Sequence, residues 1–500
     1  MGTHARGVAA RAMTDEEPDR HRQQGNPRRS AARALTRTDA GGGSVGPWPV
    51  RRGTVTVSDP HERTALPIHQ ICHRATAVLS GLVVVGTLLF APASAGAAER
   101  TPIVVGIPPE TTFFGRGWGH GVGMSQHGAR GRALAGQSTS EILAHYYAGT
   151  TLGSIDPATP IRVLVLTGFA ATAGNPAIVF GRGGPWTIDG ITATFPADAK
   201  LTLAPTAPGA TTWALRVVTA GGTQLHVSTV SGSLVLRPAA AASLLQLYSK
   251  PSSYDTYRGV LRIHLSTTVR VVNELGLDVY LRGVVPVEMP ASWPAEALKA
   301  QAIAARSYAA RRLRPGELTY DVFDDWRSQV YRGVEAEAAA TNAVITVTSG
   351  TVLRSGTSIA NALFHSTGGG ATEHNENVFV SASGKIVAGP VSYLRGSPDR
   401  APDGSSYDAG APLATWVTGS YSRDELSAIF GKDPRTTVGS ISRLDLSRRG
   451  ISGRLISVTL VGAAATKTVS GDVFRAAFND GNPAADPDLR STLFDTAPIP

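Results

Sequence analysis

The hydrophobic residues of the chain occur mostly in short runs, and the spacing of these runs divides the chain into segments. Between residues 161 and 237, apolar runs such as IRVLVL, AIVF and TWALRVV are separated by Gly, Pro, Asn and Asp. Short apolar runs between turn-forming residues are typical of antiparallel strands. Residues 155–237 are therefore predicted to form a small β-rich unit.

Other segments have a helical spacing. In the helix predicted after the turn at Glu288, the small and apolar residues Leu298, Ala302, Ala305 and Ala309 recur on one face, and Pro294 stands at an early position. Ser138 and Glu141 form a capping box, which marks the start of another helix. A capped helix is also predicted at residues 422–430, and the Ala-rich residues 239–250 are predicted to be a helix or a linker. Strands and helices in separate runs predict an α+β fold.

One apolar run is uncharged over its whole length, at residues 75–90. His73 and Arg74 precede it, and the small residues APASAGAA follow it. A basic start, an apolar centre and a small-residue cleavage zone are the parts of a secretory signal peptide. Residues 73–98 are therefore predicted to be a signal peptide. The protein is expected to be secreted to the cell wall, with no stable membrane span after cleavage. An uncleaved anchor is the alternative.

The residues before this signal peptide have a different composition. Residues 1–72 are rich in Arg, Gly and Pro and have little apolar periodicity, which predicts a disordered basic tail. Signal peptides normally begin a chain, and Met is absent between Met13 and Met124. A translation start at a non-Met codon around Val55 or Val57, with residues 1–50 not translated, would explain both observations.

Charge and cysteine content exclude several classes of function. Twelve Arg and seven acids in residues 1–98 account for +5 of the net charge of +9, and the remaining +4 does not indicate a nucleic-acid partner. Cys72 is the only cysteine, so no intrachain disulfide or cysteine-based zinc site is possible. His365, His374 and Glu376 lack the H-E-x-x-H spacing. No metal and no cofactor are predicted.

Alternating glycines mark the segment at residues 113–150. The segment fits neither the dinucleotide nor the phosphate-binding glycine motif, and the sequence around Ser125 is not a nucleophile elbow. It does present Trp118, His120, Ser125 and Gln126, whose side chains can stack on sugars or hydrogen-bond to them. A glycine-rich turn packed around Trp118 is the alternative. The alternating residues are Gly115, Gly117, Gly119, Gly121 and Gly123.

Glu288 is the most isolated acid of the second half of the chain. No charged residue lies within five residues before it or seven after it, and its neighbours are Val, Met, Pro and Trp. Apolar surroundings raise the pKa of a carboxyl group. A carboxylic acid that stays protonated near neutral pH can donate a proton to a leaving oxygen. The alternative is an ordinary loop glutamate.

A second cluster of polar residues precedes three glycines at residues 365–370. His365, Ser366 and Thr367 are predicted to stand at the end of a strand, in a tight turn. A triad of Ser366, His365 and Asp324 is rejected, because adjacent residues of a strand point to opposite faces.

These motifs together resemble the SpoIID/LytB family. The matching strings cover most of residues 113–150 and 250–494, and the predicted core spans residues 250–496. They are YRGVL (257–261), VVNELGLDVYLRGVVPVEMPASWPAEALKAQAIAARSYA (271–309), DVFDDWRSQVYRG (321–333), FHSTGGGATE (364–373), YLRG (393–396), SGRLISVTLVG (452–462), LRSTLF (489–494) and the glycine-rich segment with EILAHYYAGT (115–150).

The order of the motifs departs from the family. In the usual arrangement the GWGHGVGMSQ stretch follows STLF near the C-terminus, whereas here it precedes the core. The sequence is therefore interpreted as a circularly permuted SpoIID-like core with an inserted β-rich unit. A permuted chain requires the old termini to be neighbours. We expect Phe113 to lie close to Phe494, with the glycine-rich segment beside Glu288.

The resemblance implies peptidoglycan remodelling. SpoIID-like members are lytic transglycosylases, some linked to sporulation, and LytB-like members are enhancers of N-acetylmuramoyl-alanine amidases. The family's catalytic glutamate, in V-x-x-E-M-P, falls on Glu288. A lytic transglycosylase can use one carboxyl group, because the 6-hydroxyl of the sugar replaces water and gives a 1,6-anhydro-muramyl end. A non-enzymatic, wall-binding amidase enhancer is the alternative.

The resemblance also implies a set of substrate-binding residues, for each of which simple packing is the alternative. They are Trp118, His120, Ser125 and Gln126 in the glycine-rich segment, Arg306, Ser307 and Tyr308 behind Glu288, and Gln329, His365, Ser366 and Thr367 on the opposite wall.

Overall fold

The computed structural model of the protein describes residues 104–316, 319–483 and 485–499. The predicted tail at residues 1–72 and the predicted signal peptide at residues 73–98 lie outside these ranges. None of the helices within the described ranges is long and apolar enough to span a bilayer.

The helices of the described residues are mostly short, and one of them, α5, is almost entirely buried. In chain order they are α1 (Gln126–Leu134), α2 (Thr139–Tyr146), α3 (Leu277–Arg282), α4 (Val285–Glu288), α5 (Ala295–Ala310), α6 (Ala339–Val347), α7 (Asn375–Val378), α8 (Arg423–Gly431) and α9 (Gly471–Gly481), with a 3₁₀ turn at Gly333–Ala336.

The strands outnumber the helices within the same residues and pair mainly antiparallel. They are β1 (Val104–Gly106), β2 (Glu110–Arg116), β3 (Met124–Ser125), β4 (Thr151–Ser154), β5 (Pro160–Phe169), β6 (Ala177–Arg182), β7 (Trp186–Ile188), β8 (Thr194–Phe195), β9 (Lys200–Pro205), β10 (Thr212–Val218), β11 (Gln224–Pro238), β12 (Leu244–Gln246), β13 (Thr256–Tyr257), β14 (Val260–Leu265), β15 (Val269–Gly276), β16 (Val322–Phe323), β17 (Thr351–Ser355), β18 (Ser358–Ile359), β19 (Phe364–His365), β20 (Thr415–Ser422), β21 (Ile441–Asp445), β22 (Ser457–Gly462), β23 (Thr466–Ser470) and β24 (Phe494–Asp495).

One twelve-stranded sheet holds most of the strands before residue 324. Its main order is β13-β12-β6-β9-β10-β11-β14-β15-β5-β16, with β7 attached to β11 and β8 attached to β7. All of its pairs are antiparallel except β16 with β5. The mixture of helices with antiparallel sheets confirms the predicted α+β class. Strands from residues 155–237 pair directly with β14 and β15, so the predicted β-rich unit and the predicted core share this sheet.

Two hydrophobic cores stabilise the described residues. The larger core joins the twelve-stranded sheet to helices α1 to α6 and includes the fully buried Trp186 and Trp213. Thirteen of the sixteen residues of α5 are buried. The sequence predicted burial of one face only. The Ala-rich composition of α5 lets other elements approach its axis from several sides, so the helix is buried nearly all round.

The smaller core brings the two ends of the described chain together. Phe113 packs edge-on against Phe494, with ring centroids 5.4 Å apart, and against Phe478 at 5.5 Å. In the adjacent sheet β2 lies between β20 and β24, and Gly115 pairs with Phe494. The expected closeness of Phe113 and Phe494 is confirmed. The burial of each Phe side chain contributes about 1.5–3 kcal/mol.

Candidate functional site

Glu288 ends the single helical turn α4, in the sharp connection between α3 and α5. Pro286 stands in the first turn of α4, where its missing N–H costs no hydrogen bond. Val285 and Met289 on either side are completely buried. These apolar contacts draw the carboxyl group inward, and Glu288 is only 2% exposed.

Two N–H donors hold the carboxylate oxygens of Glu288. The side-chain amide of Gln126 donates to Oε2 over 3.3 Å, and the backbone N–H of Val330 donates to Oε1 over 3.3 Å. Burial raises the pKa of Glu288 from 4.5 to about 7. The hydrogen bonds from Val330 and Gln126 and the charge of Arg332 favour the ionised form and limit this rise. Glu288 is therefore poised to exchange a proton near neutral pH.

Gln126 reaches Glu288 because of the way the glycine-rich segment is anchored. β3 pairs in parallel with β19, and Ser125 caps α1, so Gln126 is the first residue of that helix. At Gly123 the backbone has φ +71°, and a Cβ atom there would lie 2.0 Å from the carbonyl oxygen of Leu363. Only glycine allows this close approach of the two segments. The expected docking of the glycine-rich segment beside Glu288 is confirmed.

Ser125 connects the two predicted polar segments. Its Oγ accepts hydrogen bonds from the backbone N–H groups of Gly128 and Gly368, both over 3.1 Å. The side chain is completely buried. The structure therefore gives Ser125 two backbone partners within the fold, and its predicted contact with sugar stays a prediction.

Trp118 and Thr367 also join these segments. Their backbones exchange hydrogen bonds of 2.9 and 3.0 Å, and both side chains are buried. The Ser366 hydroxyl lies 3.2 Å from that of Thr367. The guanidinium of Arg490 lies over the Trp118 ring, 5.4 Å from its centroid.

His120 and His365 form a pair of neutral imidazoles. Their ring centroids are 5.4 Å apart. Burial, with the charge of Arg454, lowers the pKa of His120 to about 4, and burial lowers that of His365 well below its usual value. Nδ1 of His120 accepts a hydrogen bond from the backbone N–H of Val122. Nε2 of the completely buried His365 has no hydrogen-bond partner among the residues that the structure describes. Across the described residues, no cluster of three or more His, Cys, Asp or Glu side chains is arranged to hold a metal ion.

Gln329 and Tyr308 lie in the buried surroundings of Glu288. Gln329 accepts a hydrogen bond from the Tyr280 hydroxyl over 3.2 Å and donates to the Ala305 carbonyl oxygen over 3.4 Å. Burial raises the pKa values of Tyr280 and Tyr308, and the nearby negative charge of Glu288 adds to both shifts. Both phenols therefore stay protonated when Glu288 ionises.

Arg306 and Ser307 direct their hydrogen bonds elsewhere. Nε of Arg306 donates to Asp278 over 2.6 Å, and its Nη1 donates to the Thr351 carbonyl. The Ser307 hydroxyl donates to Ile303 and accepts from Leu353. The bond to Asp278 links α5 to α3, and the bonds to Thr351 and Leu353 link α5 to β17.

The structure adds site residues that the sequence prediction missed. The Val330 contact uses a backbone N–H, for which a side-chain pattern gives no signal. Tyr280 resembles any core aromatic in sequence. His127 and Trp293 contact one another, with ring centroids 4.7 Å apart. Their position one residue after Gln126 and five after Glu288 could have suggested this contact.

Comparison with known proteins identifies the segment around Glu288. The family model described as SpoIID, Stage II sporulation protein, matches residues 266–354. The chain therefore carries a segment similar to the SpoIID family at these residues. The SpoIID match includes Glu288, α5 and Val330 but not the glycine-rich segment that contributes Gln126.

The relatives match this chain over short segments. An uncharacterized protein of Brachyspira hyodysenteriae is 37% identical over 134 residues, which are 25% of this chain and 34% of that protein. The "Amidase enhancer" of Bacillus subtilis is 39% identical over 108 residues, 22% of this chain and 14% of the relative. The "Stage II sporulation protein D" of Bacillus amyloliquefaciens is 47% identical over 45 residues, 9% and 13% of the two chains. The matches thus span about a third or less of each relative. No solved structure matches this chain.

Proposed function

We propose that this protein remodels peptidoglycan as a lytic transglycosylase. The observation that carries the proposal is a buried carboxyl group, Glu288, with a pKa raised to about 7 and two N–H donors on its oxygens. Among the described residues, the groups besides burial that shift the pKa of Glu288 are Val330, Gln126 and Arg332, and none of these three is an acid. A hydrolase that retains or inverts configuration normally uses two carboxyl groups, whereas an intramolecular attack can proceed with one.

The proposed reaction uses Glu288 first as an acid and then as a base. The protonated carboxyl donates its proton to the glycosidic oxygen as the bond from that oxygen to C1 breaks. The resulting carboxylate is stabilised by the N–H groups of Gln126 and Val330. It then takes the proton of the 6-hydroxyl of the same muramyl residue, whose oxygen bonds to C1. The products are a shortened strand and a 1,6-anhydro-muramyl end, with no water consumed and Glu288 protonated again.

The test is the chemistry of the strand ends. The protein is incubated with glycan strands whose stem peptides have been removed, and the products are analysed by mass spectrometry. We expect 1,6-anhydro ends, with the rate lowered at least about 100-fold in Glu288→Gln because general acid–base catalysis contributes that much. Glu274→Gln is the matched control, since Glu274 pairs with Arg262 on the large sheet. Reducing ends would contradict the proposal, and so would an active Glu288→Gln protein.

A second function is favoured by one comparison. The relative from Bacillus subtilis is named "Amidase enhancer", and its similarity extends over 108 residues. A protein of this kind would bind the wall and stimulate a separate amidase, without producing anhydro ends. Measuring stem-peptide release by an added N-acetylmuramoyl-alanine amidase separates the two functions. Stimulation that persists in Glu288→Gln, with no anhydro ends from the wild type, would favour the enhancer.

Secretion and circular permutation are part of the same proposal. Peptidoglycan lies outside the cytoplasm, and the predicted signal peptide at residues 73–98 would deliver the protein there. The paired positions of β2 and β24 support a permuted order of the family's segments, with residues 155–237 as an insertion. Cell fractionation with N-terminal sequencing of the mature protein tests the delivery.

A further inference from the structure

The first turn of α1 runs alongside the turn that follows Glu288, and the two segments contact each other at successive positions. Gln126 hydrogen-bonds to Glu288, as described above. The next residue, His127, packs edge-on against the Trp293 ring, with centroids 4.7 Å apart. One helical turn from Gln126, the guanidinium of Arg130 lies 5.5 Å from the Trp293 ring centroid. A cluster of His127, Arg130 and Trp293 therefore begins one residue after Gln126, the residue that contacts the Glu288 carboxyl group.

This cluster reaches the surface, unlike most of the predicted site. His127, Arg130 and Trp293 are all partly exposed, whereas Ser125, Gln126, His365 and Thr367 are buried. Trp293 packs partly against the larger core, which fixes its ring and leaves another part accessible. A fixed, partly exposed aromatic ring offers a surface on which a sugar ring can stack at little cost in conformational entropy.

Arg130 gives the cluster a positive charge without an internal partner. Within the described residues, no carboxylate and no hydrogen-bond acceptor pairs with its guanidinium, and its recorded contact is the Trp293 ring. Arg132, on the same helix, differs because it forms a buried ion pair with Asp399.

His127 does not add to that charge. Burial, and next the charge of Arg130, lower the pKa of His127 to about 4, and the charge of Asp408 opposes this shift. The imidazole is therefore neutral at pH 7 and can donate one hydrogen bond and accept another. The cluster combines an aromatic surface, a neutral polar ring and one unpaired cation.

We propose that His127, Arg130 and Trp293 form a subsite for a sugar residue that carries a carboxylate. The proposal rests on the proposed function, since it assumes that the substrate is a glycan strand. In such a strand the muramyl residue carries a lactyl ether and the glucosamine residue does not. The guanidinium of Arg130 binds the carboxylate, and Trp293 stacks on the sugar ring. The subsite thereby sets which of the two alternating sugars lies beside Glu288.

The carboxylate has two sources, and the experiment distinguishes them. Binding is measured by calorimetry with the Glu288→Gln protein, so that no ligand is cleaved. The four ligands are strands without stem peptides, the same strands with the lactyl carboxylate converted to a methylamide, strands with stem peptides, and chito-oligosaccharides of equal length. The first and third ligands present lactyl and peptide carboxylates respectively, and the other two present none.

We expect carboxylate-bearing strands to bind about tenfold more tightly than their methylamide form or chito-oligosaccharides, as one charge-assisted hydrogen bond would provide. Adding Arg130→Gln to the Glu288→Gln protein should abolish this preference, and adding Trp293→Ala should weaken the binding of all four ligands. Trp293→Phe should recover most of the lost affinity and so distinguish stacking from a folding defect. Arg216→Gln on β10, an exposed arginine, is the matched control.

An unchanged preference after Arg130→Gln would overturn the subsite, as would equal binding of all four ligands. The preferred ligand, with or without stem peptides, assigns the source of the carboxylate. Failure of the proposed function would give a different result. The wild-type protein would then produce no anhydro ends, while the binding preference for carboxylate-bearing strands remained.

Discussion

At the scale of single residues, Glu288 combines burial with incomplete stabilisation. Its carboxylate has two N–H donors, each at 3.3 Å, where strongly ionised buried carboxylates receive shorter or more numerous bonds. Burial therefore dominates, and the pKa rises to about 7.

This raised pKa predicts how stability changes with pH. Below the ordinary pKa of 4.5 both the folded and the unfolded chain hold the proton. As the pH rises from 4.5 to 7 the unfolded chain releases it first, so the folded state loses stability, by about 3 kcal/mol for a shift of this size. Urea unfolding of the wild type and Glu288→Gln between pH 4 and pH 8 should show this difference. Parallel curves for the two proteins would contradict it.

Gln126→Leu provides a second check of the same pKa. The Gln126 hydrogen bond favours the charged form of Glu288, so its removal should raise the pKa further. The loss of stability with rising pH should then extend to higher pH than in the wild type.

How much of the site could be predicted from sequence depends on the kind of contact. The isolation of Glu288 from other charges was visible in the sequence, and it agrees with the burial and the pKa direction in the structure. The Val330 contact could not be predicted, because a backbone N–H is identified only by the path of the chain. Arg306 belongs to a matching string, yet its bonds to Asp278 and Thr351 lie within the fold.

At the scale of elements, local signals proved more reliable than composition. The capping box of Ser138 and Glu141 is present at the start of α2, and Ser422 with Glu425 caps α8 in the same way. These motifs act within four residues, so sequence spacing suffices to predict them. The helix or linker predicted for residues 239–250 is wrong at Leu244–Gln246, because β12 pairs there with β6 and β13. Such long-range pairing overrides the helical preference of Ala.

Ser125 allows a test of the contact between elements. Ser125→Ala removes hydrogen bonds to Gly128 and Gly368, so it loses both a helix cap and a link to the turn after β19. We expect a loss of about 2–3 kcal/mol in the free energy of unfolding, because buried N–H groups are left unpaired. Ser138→Ala is the control, since it removes an exposed cap of α2 and should cost about 1 kcal/mol. Equal losses in the two variants, measured by urea unfolding, would show that the link to Gly368 contributes little.

At the scale of the whole molecule, the two ends of the described chain share one core. Ser491 donates a hydrogen bond to the Arg116 carbonyl oxygen over 2.7 Å, and Arg116 donates to the Ile499 carbonyl oxygen over 3.0 Å. Neighbouring ends are the condition under which a protein tolerates a change of segment order.

This closeness predicts that the order of the segments can be changed without loss of the fold. A chain that runs from residue 241 to residue 499, continues through a flexible Gly/Ser linker and then runs from residue 104 to residue 240 would place the glycine-rich segment after the core. Its new ends lie in an exposed turn. We expect cooperative unfolding with a stability change of about 1–2 kcal/mol, the scale of a loop-closure difference. A control chain that ends at residue 488, without Phe494, should lose this cooperativity. An unfolded permuted chain would contradict the prediction.

The position of β2 between β20 and β24 also has a consequence for the order of events during synthesis. The glycine-rich segment leaves the ribosome early in synthesis. Arg116, at the end of β2, accepts a hydrogen bond from Ser491, which lies 375 residues further along the chain. Contacts of such high sequence separation form slowly and cannot begin until the last residues have emerged. The strand that leads to Gln126 therefore still lacks one of its two neighbours, β24, when Glu288 has already joined the chain.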